Sequence, residues 1–250
     1  MIEKQVDVKT PDGVADCELY YPSEQGAWPG IIYYTDIGGI RPVFRDMARR
    51  LAGDGFAVLM PNPFYRVSRV PVYHDPFKFG EEKTAARMAE VRPSVTSAGA
   101  ARDASAFADF LLAQKQVKGK VGTAGYCMGG GLAIRTAAAV PGAVAACASF
   151  HGSQLASAEP DSPHTLAPKI KADLYLGFAI EDRTMPPEAV EKLKGALDAA
   201  GVRYGSEVYA GAKHGWCVKD HTVYNEPQAE RAWSHMLALF REALHGPTPD

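Results

Sequence analysis

Apolar and polar positions follow two patterns along this chain, short apolar runs and stripes at helical spacing. The apolar runs predict buried strands at 29–34, 57–60, 120–124, 144–150, 174–179 and 203–209. The stripes predict helices at 43–51, 97–115, 132–139, 187–201 and 227–244. Two more strand signals, at 6–10 and 15–20, flank Pro11-Asp12-Gly13 and predict a hairpin. The chain is therefore expected to begin with a hairpin and then to alternate strands with helices.

This alternation indicates an α/β fold with a mostly parallel central sheet and helices on both faces. The leading hairpin is expected to add antiparallel strands at one edge of the sheet. No repeat or linker interrupts the pattern, so we expect a single domain over 1–250. In such sheets, sites lie at the carboxyl ends of the strands, and candidate residues can be chosen by that position.

Residues 61–95 form the one long stretch that reads as irregular. They contain five prolines together with several aromatic and charged residues. A segment of this kind either covers a functional site or crosses the surface as a solvated excursion, and the sequence leaves both interpretations open.

Composition narrows the classes of function. The chain has 250 residues, 46% of them hydrophobic and 22% charged, which is ordinary for a globular protein. A net charge of −2 argues against nucleic acid or an anionic membrane as partner, and no apolar run reaches the length of a membrane span. The first residues do not resemble a signal peptide, so we expect a cytoplasmic protein. Four widely spaced cysteines are interpreted as free thiols.

The most informative motif is Gly125-Tyr126-Cys127-Met128-Gly129. It has the form of a nucleophile elbow, a sharp turn from a strand into a helix, with cysteine where serine is usual. The turn forces Cys127 into an unfavourable backbone conformation and requires small residues two positions before and after it. The helix start favours a thiolate at Cys127. The alternative is a buried structural cysteine, but the flanking strand and helix signals favour a nucleophile.

The candidate base is a histidine beyond the last strand. In α/β-hydrolases the nucleophile, the acid and the histidine follow one another along the chain. Of four late histidines, His235 lies in the last predicted helix and His245 lies at its end. His214 lies in the loop that leaves the last strand, at the expected edge of the sheet, and His221 is the second choice.

The candidate acid lies between the cysteine and the histidine. Asp182 follows the carboxyl end of a strand, and the adjacent Glu181 could substitute for it. Three other aspartates are less suitable, because none of them follows the carboxyl end of a strand: Asp161 lies in a loop, Asp173 at the start of a strand and Asp198 on a helix. An oxyanion hole needs two backbone amides, for which we select Met128, after the nucleophile, and Ile37, in the loop after the third strand.

Together these residues resemble the dienelactone hydrolase (carboxymethylenebutenolidase) family. The similarity lies in Gly125-Tyr126-Cys127-Met128-Gly129-Gly130, Asp36-Ile37-Gly38-Gly39, Asp182 followed by Pro186, and His214-Gly215. The resemblance implies an α/β-hydrolase fold, a monomer and no cofactor. It also implies a Cys127–His214–Asp182 triad, with the Ile37 and Met128 amides as oxyanion donors.

The sequence departs from the family pattern at two places. The family usually has a glutamate that can take the cysteine proton, whereas this chain has Asp36, which is one methylene shorter. The family member that acts on dienelactone holds the substrate carboxylate with an arginine shortly after the histidine, and no arginine follows His214 here. Arg66, Arg69 and Arg87, from the irregular segment, are candidates for that role; otherwise the substrate is not an acidic dienelactone.

These residues predict two-step acyl transfer on a small lactone or ester. A thiolate is itself a good leaving group, so activated enol lactones and aryl esters are expected to react better than alkyl esters. One alternative is a general carboxylesterase or thioesterase. Another is a non-catalytic ligand-binding or redox-sensing protein, in which Cys127 is oxidised reversibly. No HExxH motif or cluster of metal ligands appears in the sequence, so we expect no metal.

Overall fold

The computed structural model describes residues 1–74 and 76–245. Eight strands form one sheet in the order β1-β2-β4-β3-β5-β6-β7-β8. The strands are β1 (Ile2–Thr10), β2 (Gly13–Tyr21), β3 (Trp28–Tyr34), β4 (Ala57–Pro61), β5 (Val117–Tyr126), β6 (Val144–Phe150), β7 (Asp173–Glu181) and β8 (Tyr204–Lys213). The helices are α1 (Pro42–Gly53), α2 (Glu82–Val91), α3 (Ser97–Leu112), α4 (Met128–Ala139), α5 (Pro187–Ala199) and α6 (Glu226–His245).

The sheet is antiparallel at one edge and parallel elsewhere. β1 pairs with β2 and β2 with β4 in antiparallel register, while the pairs from β4 to β8 are parallel. The predicted hairpin and mostly parallel sheet are therefore confirmed. Because β3 and β5 to β8 lie side by side and parallel, the loops after them meet at one edge.

Helices cover both faces of the sheet, as the alternation predicts. On one face, α1 and α6 bury residues such as Phe44, Leu51 and Phe240. On the other face, α3, α4 and α5 contribute residues such as Phe107 and Leu193. Within the described residues, no helix has the length and apolar character needed to cross a membrane.

The structure corrects the sequence prediction in the 61–95 segment, which is not irregular throughout. It contains α2 and a short 3₁₀ helix, Arg92–Ser94. Only Thr84 and Val91 of α2 are buried, so the helix carries a narrow apolar stripe that is hard to detect among the prolines. Residues 75 and 246–250, included in the predicted single domain, lie outside the described residues.

Two strands near the site extend further than the sequence predicts. β5 ends at Tyr126 rather than at residue 124, and β8 continues to Lys213 rather than stopping at residue 209. Cys127 and His214 thus each follow the last residue of a strand directly. A side chain in that position is held by the sheet rather than by a long loop.

Candidate active site

Cys127 lies at the apex of a sharp turn between β5 and α4. Its φ of 54° is in the left-handed region, which is costly for any residue other than glycine. A Cβ at Gly125 would collide with the Gly129 carbonyl, and one at Gly129 would collide with the Thr35 carbonyl. The small residues at these positions are therefore required by close backbone approach, as expected for a nucleophile elbow.

His214 and Asp182 form a tight pair beside this turn. His214 Nδ1 lies 2.6 Å from Asp182 Oδ2, and Thr184 donates to Asp182 Oδ1 from both its amide (2.8 Å) and its hydroxyl (2.7 Å). Burial raises the pKa of Asp182, but the hydrogen bonds from His214 and Thr184 outweigh it and keep this pKa below its ordinary value. The carboxylate therefore stays ionised and orients the imidazole.

The charge state of His214 depends on both of its neighbours. Burial lowers its pKa, but hydrogen bonding to Asp182 and to the Cys127 sulfur raises it to about 10. The structure thus brings Cys127, His214 and Asp182 together, with His214 in contact with both of the others. The raised pKa of His214 favours an imidazolium at neutral pH.

The second-choice acid and base lie elsewhere. The Glu181 side chain is exposed and lies 3.4 Å from Lys213 Nζ in an ion pair. The His221 side chain is 7% exposed, and its Nε2 lies 3.0 Å from Asp36 Oδ2. Both residues are thus occupied by other partners.

The two candidate oxyanion residues, Ile37 and Met128, line the cavity that Cys127 faces. Met128 is the first residue of α4, so its N–H has no acceptor within the helix. Ile37 is held in its loop by a hydrogen bond from Tyr73 Oη to its carbonyl (3.0 Å) and by one from Gly38 N to the Asp36 carboxylate (2.8 Å). Both residues line the same cavity as Cys127.

Asp36, the residue that replaces the family glutamate, has a fully buried carboxylate. Arg41 donates to both of its oxygens, at 2.5 and 2.9 Å, in addition to the contacts with Gly38 and His221. Although burial raises the pKa of Asp36, the Arg41 charge and the His221 hydrogen bond hold it well below its ordinary value. We infer that Asp36 fixes the loop that carries Ile37.

Replacing Asp36 by asparagine is expected to destabilise the protein by about 3 kcal/mol, because Arg41 would lose a buried counterion. The matched control is Asp220→Asn, since Asp220 also binds Arg41 but is partly exposed, and it should lose less than about 1 kcal/mol. Urea unfolding measures both. Because the pKa of Asp36 is depressed on folding, its contribution is present above pH ~4 and is lost as the pH falls further. Equal losses in the two variants would contradict this assignment.

A turn after β6 also contacts the nucleophile, and no sequence signal pointed to it. The Cys127 amide donates to His151 Nδ1 (3.1 Å), and the Cys127 sulfur lies 3.3 Å from Ser153 Oγ. His151 is buried, and its Nε2 has no hydrogen-bond partner among the described residues. Burial and the nearby His214 charge hold the pKa of His151 well below its ordinary value, so the ring is neutral.

Cys127 and His214 face a cavity of about 470 Å³. One wall is apolar and comes partly from the 61–95 segment, through Phe79, Met88 and Val95. Leu132, from the second turn of α4, also lines it. The irregular segment therefore forms part of the wall above the cysteine.

The three arginines suggested by the sequence do not line this cavity. Arg66 is paired with Asp12 and Asp103, Arg69 with Asp7, and Arg87 with Glu90. Their use as substrate ligands is not supported, because each already has a carboxylate partner.

Two other arginines, Arg92 and Arg135, do line the cavity. Among the described residues, neither has a carboxylate within ion-pair distance. Arg135 is half-buried on α4, and burial lowers its pKa while the Asp161 charge opposes that effect. No sequence pattern pointed to Arg135, because most other residues of α4 are small or apolar.

The sequence matches the dienelactone hydrolase family over residues 16–244. The chain belongs to this family. Among curated relatives, the "Putative carboxymethylenebutenolidase" of Synechocystis is 29% identical over 232 residues, covering 90% of this chain and 91% of that protein. The resemblance inferred from the motifs is thus confirmed, and the chain is a hydrolase of the dienelactone hydrolase family.

Solved structures confirm the α/β-hydrolase fold. A "Putative Dienelactone Hydrolase" from Klebsiella pneumoniae superposes with a TM-score of 0.84 at 24% identity, covering 96% of this chain and 98% of that one. An acylaminoacyl peptidase from Pyrococcus horikoshii has a TM-score of 0.72 at 14% identity and covers 100% of this chain but 43% of its own. Because both kinds of protein share this fold, the fold alone does not determine substrate preference. That preference depends on the cavity of this member of the dienelactone hydrolase family.

Proposed function

We propose that this protein hydrolyses activated lactones and esters through a thioacyl intermediate on Cys127. The observation that carries the proposal is the position of Cys127, strained at the start of α4 and sharing one cavity with a histidine held by a buried aspartate. All three side chains come from one chain, so the proposed reaction needs no second subunit.

The first proposed step is acylation. The Cys127 thiolate attacks the carbonyl carbon, and the negative charge moves to the carbonyl oxygen, where the Ile37 and Met128 amides would bind it. The tetrahedral intermediate then expels the alcohol or enol oxygen, which takes a proton from His214. A thioester on Cys127 is the product of this step.

The second proposed step is deacylation, and the environment of His214 suits it. Once the sulfur is a thioester it no longer carries negative charge, so its contribution to the raised pKa of His214 disappears. The imidazole can then remain neutral and accept a proton from water, while Asp182 holds its orientation. The resulting hydroxide attacks the thioester and releases the acid.

The leaving group decides which substrates proceed. In the first tetrahedral intermediate, sulfur competes with oxygen as the leaving group, and a thiolate leaves more readily than an alkoxide. An enolate or a phenolate is stabilised, so it can compete with sulfur. We therefore assign activated lactones and aryl esters, rather than alkyl esters, as substrates.

An enol lactone is expected to be hydrolysed about 100-fold faster than a saturated lactone of the same ring size, because this corresponds to roughly 3 kcal/mol in the barrier. Steady-state rates for the two substrates provide the comparison, and the uncatalysed rates are subtracted. Equal enzymatic rates would refute leaving-group control. Absence of turnover for both lactones and for an aryl ester would refute the proposed function itself.

We further propose that Arg135 binds a carboxylate on the acyl part of the substrate. Glu159 and Asp161 also line the cavity, so its charge is mixed, but Arg135 is a half-buried cation with no carboxylate within ion-pair distance among the described residues. A guanidinium in this position can bind a carboxylate with two hydrogen bonds.

Replacing Arg135 by methionine, which keeps much of the side-chain length, is expected to raise KM for an acidic ester about 10-fold to 100-fold. KM for a neutral ester of similar size should change little. Arg231, an exposed arginine of α6 that pairs with Glu207, supplies the control variant Arg231→Met. The assignment is wrong if Arg135→Met affects acidic and neutral esters equally.

A further inference from the structure

We propose that the Ser153 hydroxyl is a catalytic group that donates a hydrogen bond to the Cys127 sulfur whenever this sulfur is a thiolate. Ser153 Oγ lies 3.3 Å from Cys127 Sγ, well within hydrogen-bonding distance for sulfur. The role rests on the proposed function of Cys127 as nucleophile. It adds a fourth side chain to those predicted from the sequence.

The turn that carries Ser153 is attached to Cys127 at three atoms. The Cys127 amide donates to His151 Nδ1, the Ser153 amide donates to the Cys127 carbonyl at 3.1 Å, and the two side chains meet at the sulfur. The backbone bond holds Ser153 in place independently of its hydroxyl. Removing the hydroxyl should therefore change the sulfur contact without releasing the turn.

The same turn is also fixed to the loop that carries the acid. The His151 amide donates to the Gly177 carbonyl at 2.8 Å, and the Gln154 amide donates to the Thr184 carbonyl at 3.2 Å. Thr184 in turn binds the Asp182 carboxylate. The turn thus connects the nucleophile to the acid loop and fixes the position of Ser153 relative to both.

Backbone strain is concentrated at this connection. Among the described residues, only three that are not glycine have a positive φ: Cys127 (54°), His151 (38°) and Gln154 (52°). Such conformations persist where the surrounding contacts enforce them, and they cluster at functional sites. The nucleophile and the turn around Ser153 account for all three.

The direction of the hydrogen bond follows from proton positions. When His214 holds the proton, the sulfur is an anion that can only accept, so Ser153 must donate. In acylation, the new carbon–sulfur bond uses the sulfur electron pair, and the hydroxyl loses its anionic acceptor. In deacylation, hydroxide adds to the thioester, the carbon–sulfur bond breaks, and Ser153 donates to the departing thiolate. Ser153 thus stabilises the resting thiolate and the leaving group of the second step.

Alkylation of Cys127 by iodoacetamide, measured from pH 5 to pH 10, tests the proposal without requiring hydrolysis. Ser153→Ala should be alkylated about three-fold to ten-fold more slowly than wild type at pH 7, with the rate curve displaced to higher pH and an equal plateau at high pH. Ser153→Thr, which retains a hydroxyl, should restore most of the rate. Ser157→Ala, a serine that lines the same cavity but does not contact the sulfur, should match wild type.

Two results would overturn the proposal. One is an alkylation curve for Ser153→Ala that superimposes on that of wild type. The other is a Ser153→Thr curve that matches Ser153→Ala, since the shape of the turn and not the hydroxyl would then be responsible. If the Ser153→Ala curve is displaced but the protein hydrolyses no ester, the proposed Ser153–thiolate contact stands and only the proposed function is refuted.

Discussion

Replacing Cys127 by alanine is expected to lower kcat/KM for an aryl ester by about 10⁴-fold or more, because the nucleophile is lost while the oxyanion donors remain. Cys147→Ala is the matched control. Cys147 is a buried cysteine on β6 that lies within the core, and its loss should leave the rate nearly unchanged. Steady-state kinetics at neutral pH compares the two variants with wild type.

Intact-mass analysis after rapid mixing with the aryl ester gives the same prediction a direct chemical readout. Wild type should gain the mass of one acyl group, located on the peptide that contains Cys127, and Cys127→Ala should gain none. Full hydrolysis by Cys127→Ala would contradict the cysteine mechanism. A protein that carries reversible oxidation at Cys127 but never an acyl group would favour the redox-sensing alternative.

Replacing Asp182 by asparagine is expected to lower kcat about 10³-fold, because an amide cannot hold the His214 tautomer and does not stabilise the imidazolium. The control is Glu181→Gln. It removes the adjacent carboxylate, which is exposed and pairs with Lys213, and should leave kcat within about two-fold of wild type. The pair of variants tests which of two neighbouring acids serves the histidine.

The pH dependence adds a second criterion for Asp182. Its hydrogen bond raises the pKa of His214, so the asparagine variant should have a lower His214 pKa than wild type. The imidazolium would then persist over a narrower range, and Cys127 alkylation should shift to higher pH in Asp182→Asn but not in Glu181→Gln. A shift in both variants, or in neither, would show that Asp182 does not set the charge of His214.

The proximity of Cys127, Asp182 and His214 could be predicted from the sequence because each of them directly follows a strand. The elbow pattern identified Cys127, and the alternation of strands and helices then placed Asp182 and His214 at the same edge of the sheet. Chain order left few candidates for each role. The physical reason is that the carboxyl ends of parallel strands lie at the same edge of the sheet, so residues that directly follow these strands lie close together.

The turn after β6 could not be predicted in the same way. Neither His151 nor Ser153 belongs to a motif. His151 and Gln154 adopt the left-handed backbone conformation, but residues of these types usually avoid it, so the sequence does not indicate it. These conformations are imposed by contacts with Cys127 and with the Asp182 loop, which are distant in sequence. Such contacts exist only once the sheet has formed.

The cationic side of the cavity was missed for a related reason. The sequence offered Arg66, Arg69 and Arg87 because they lie in the irregular segment, but the structure pairs each with an acid. Arg135 lies in a helix whose other residues are mostly small and apolar. The packing of α4 on the sheet determines which face of the helix lines the cavity. The hydrophobic pattern of the α4 sequence does not determine it.

The 61–95 segment has a consequence for how specificity can diverge between relatives. It runs from the end of β4 at Pro61 to just before α3, which begins at Ser97, and it supplies Phe79, Met88, Arg92 and Val95 to the cavity wall. Tyr73 of this segment donates a hydrogen bond to the Ile37 carbonyl, and Phe79 packs against the His221 ring. A chimaera that exchanges this stretch while keeping Tyr73 is expected to change which apolar groups fit the cavity, whereas the proposed acyl transfer at Cys127 and the proposed carboxylate binding by Arg135 would stay with the host.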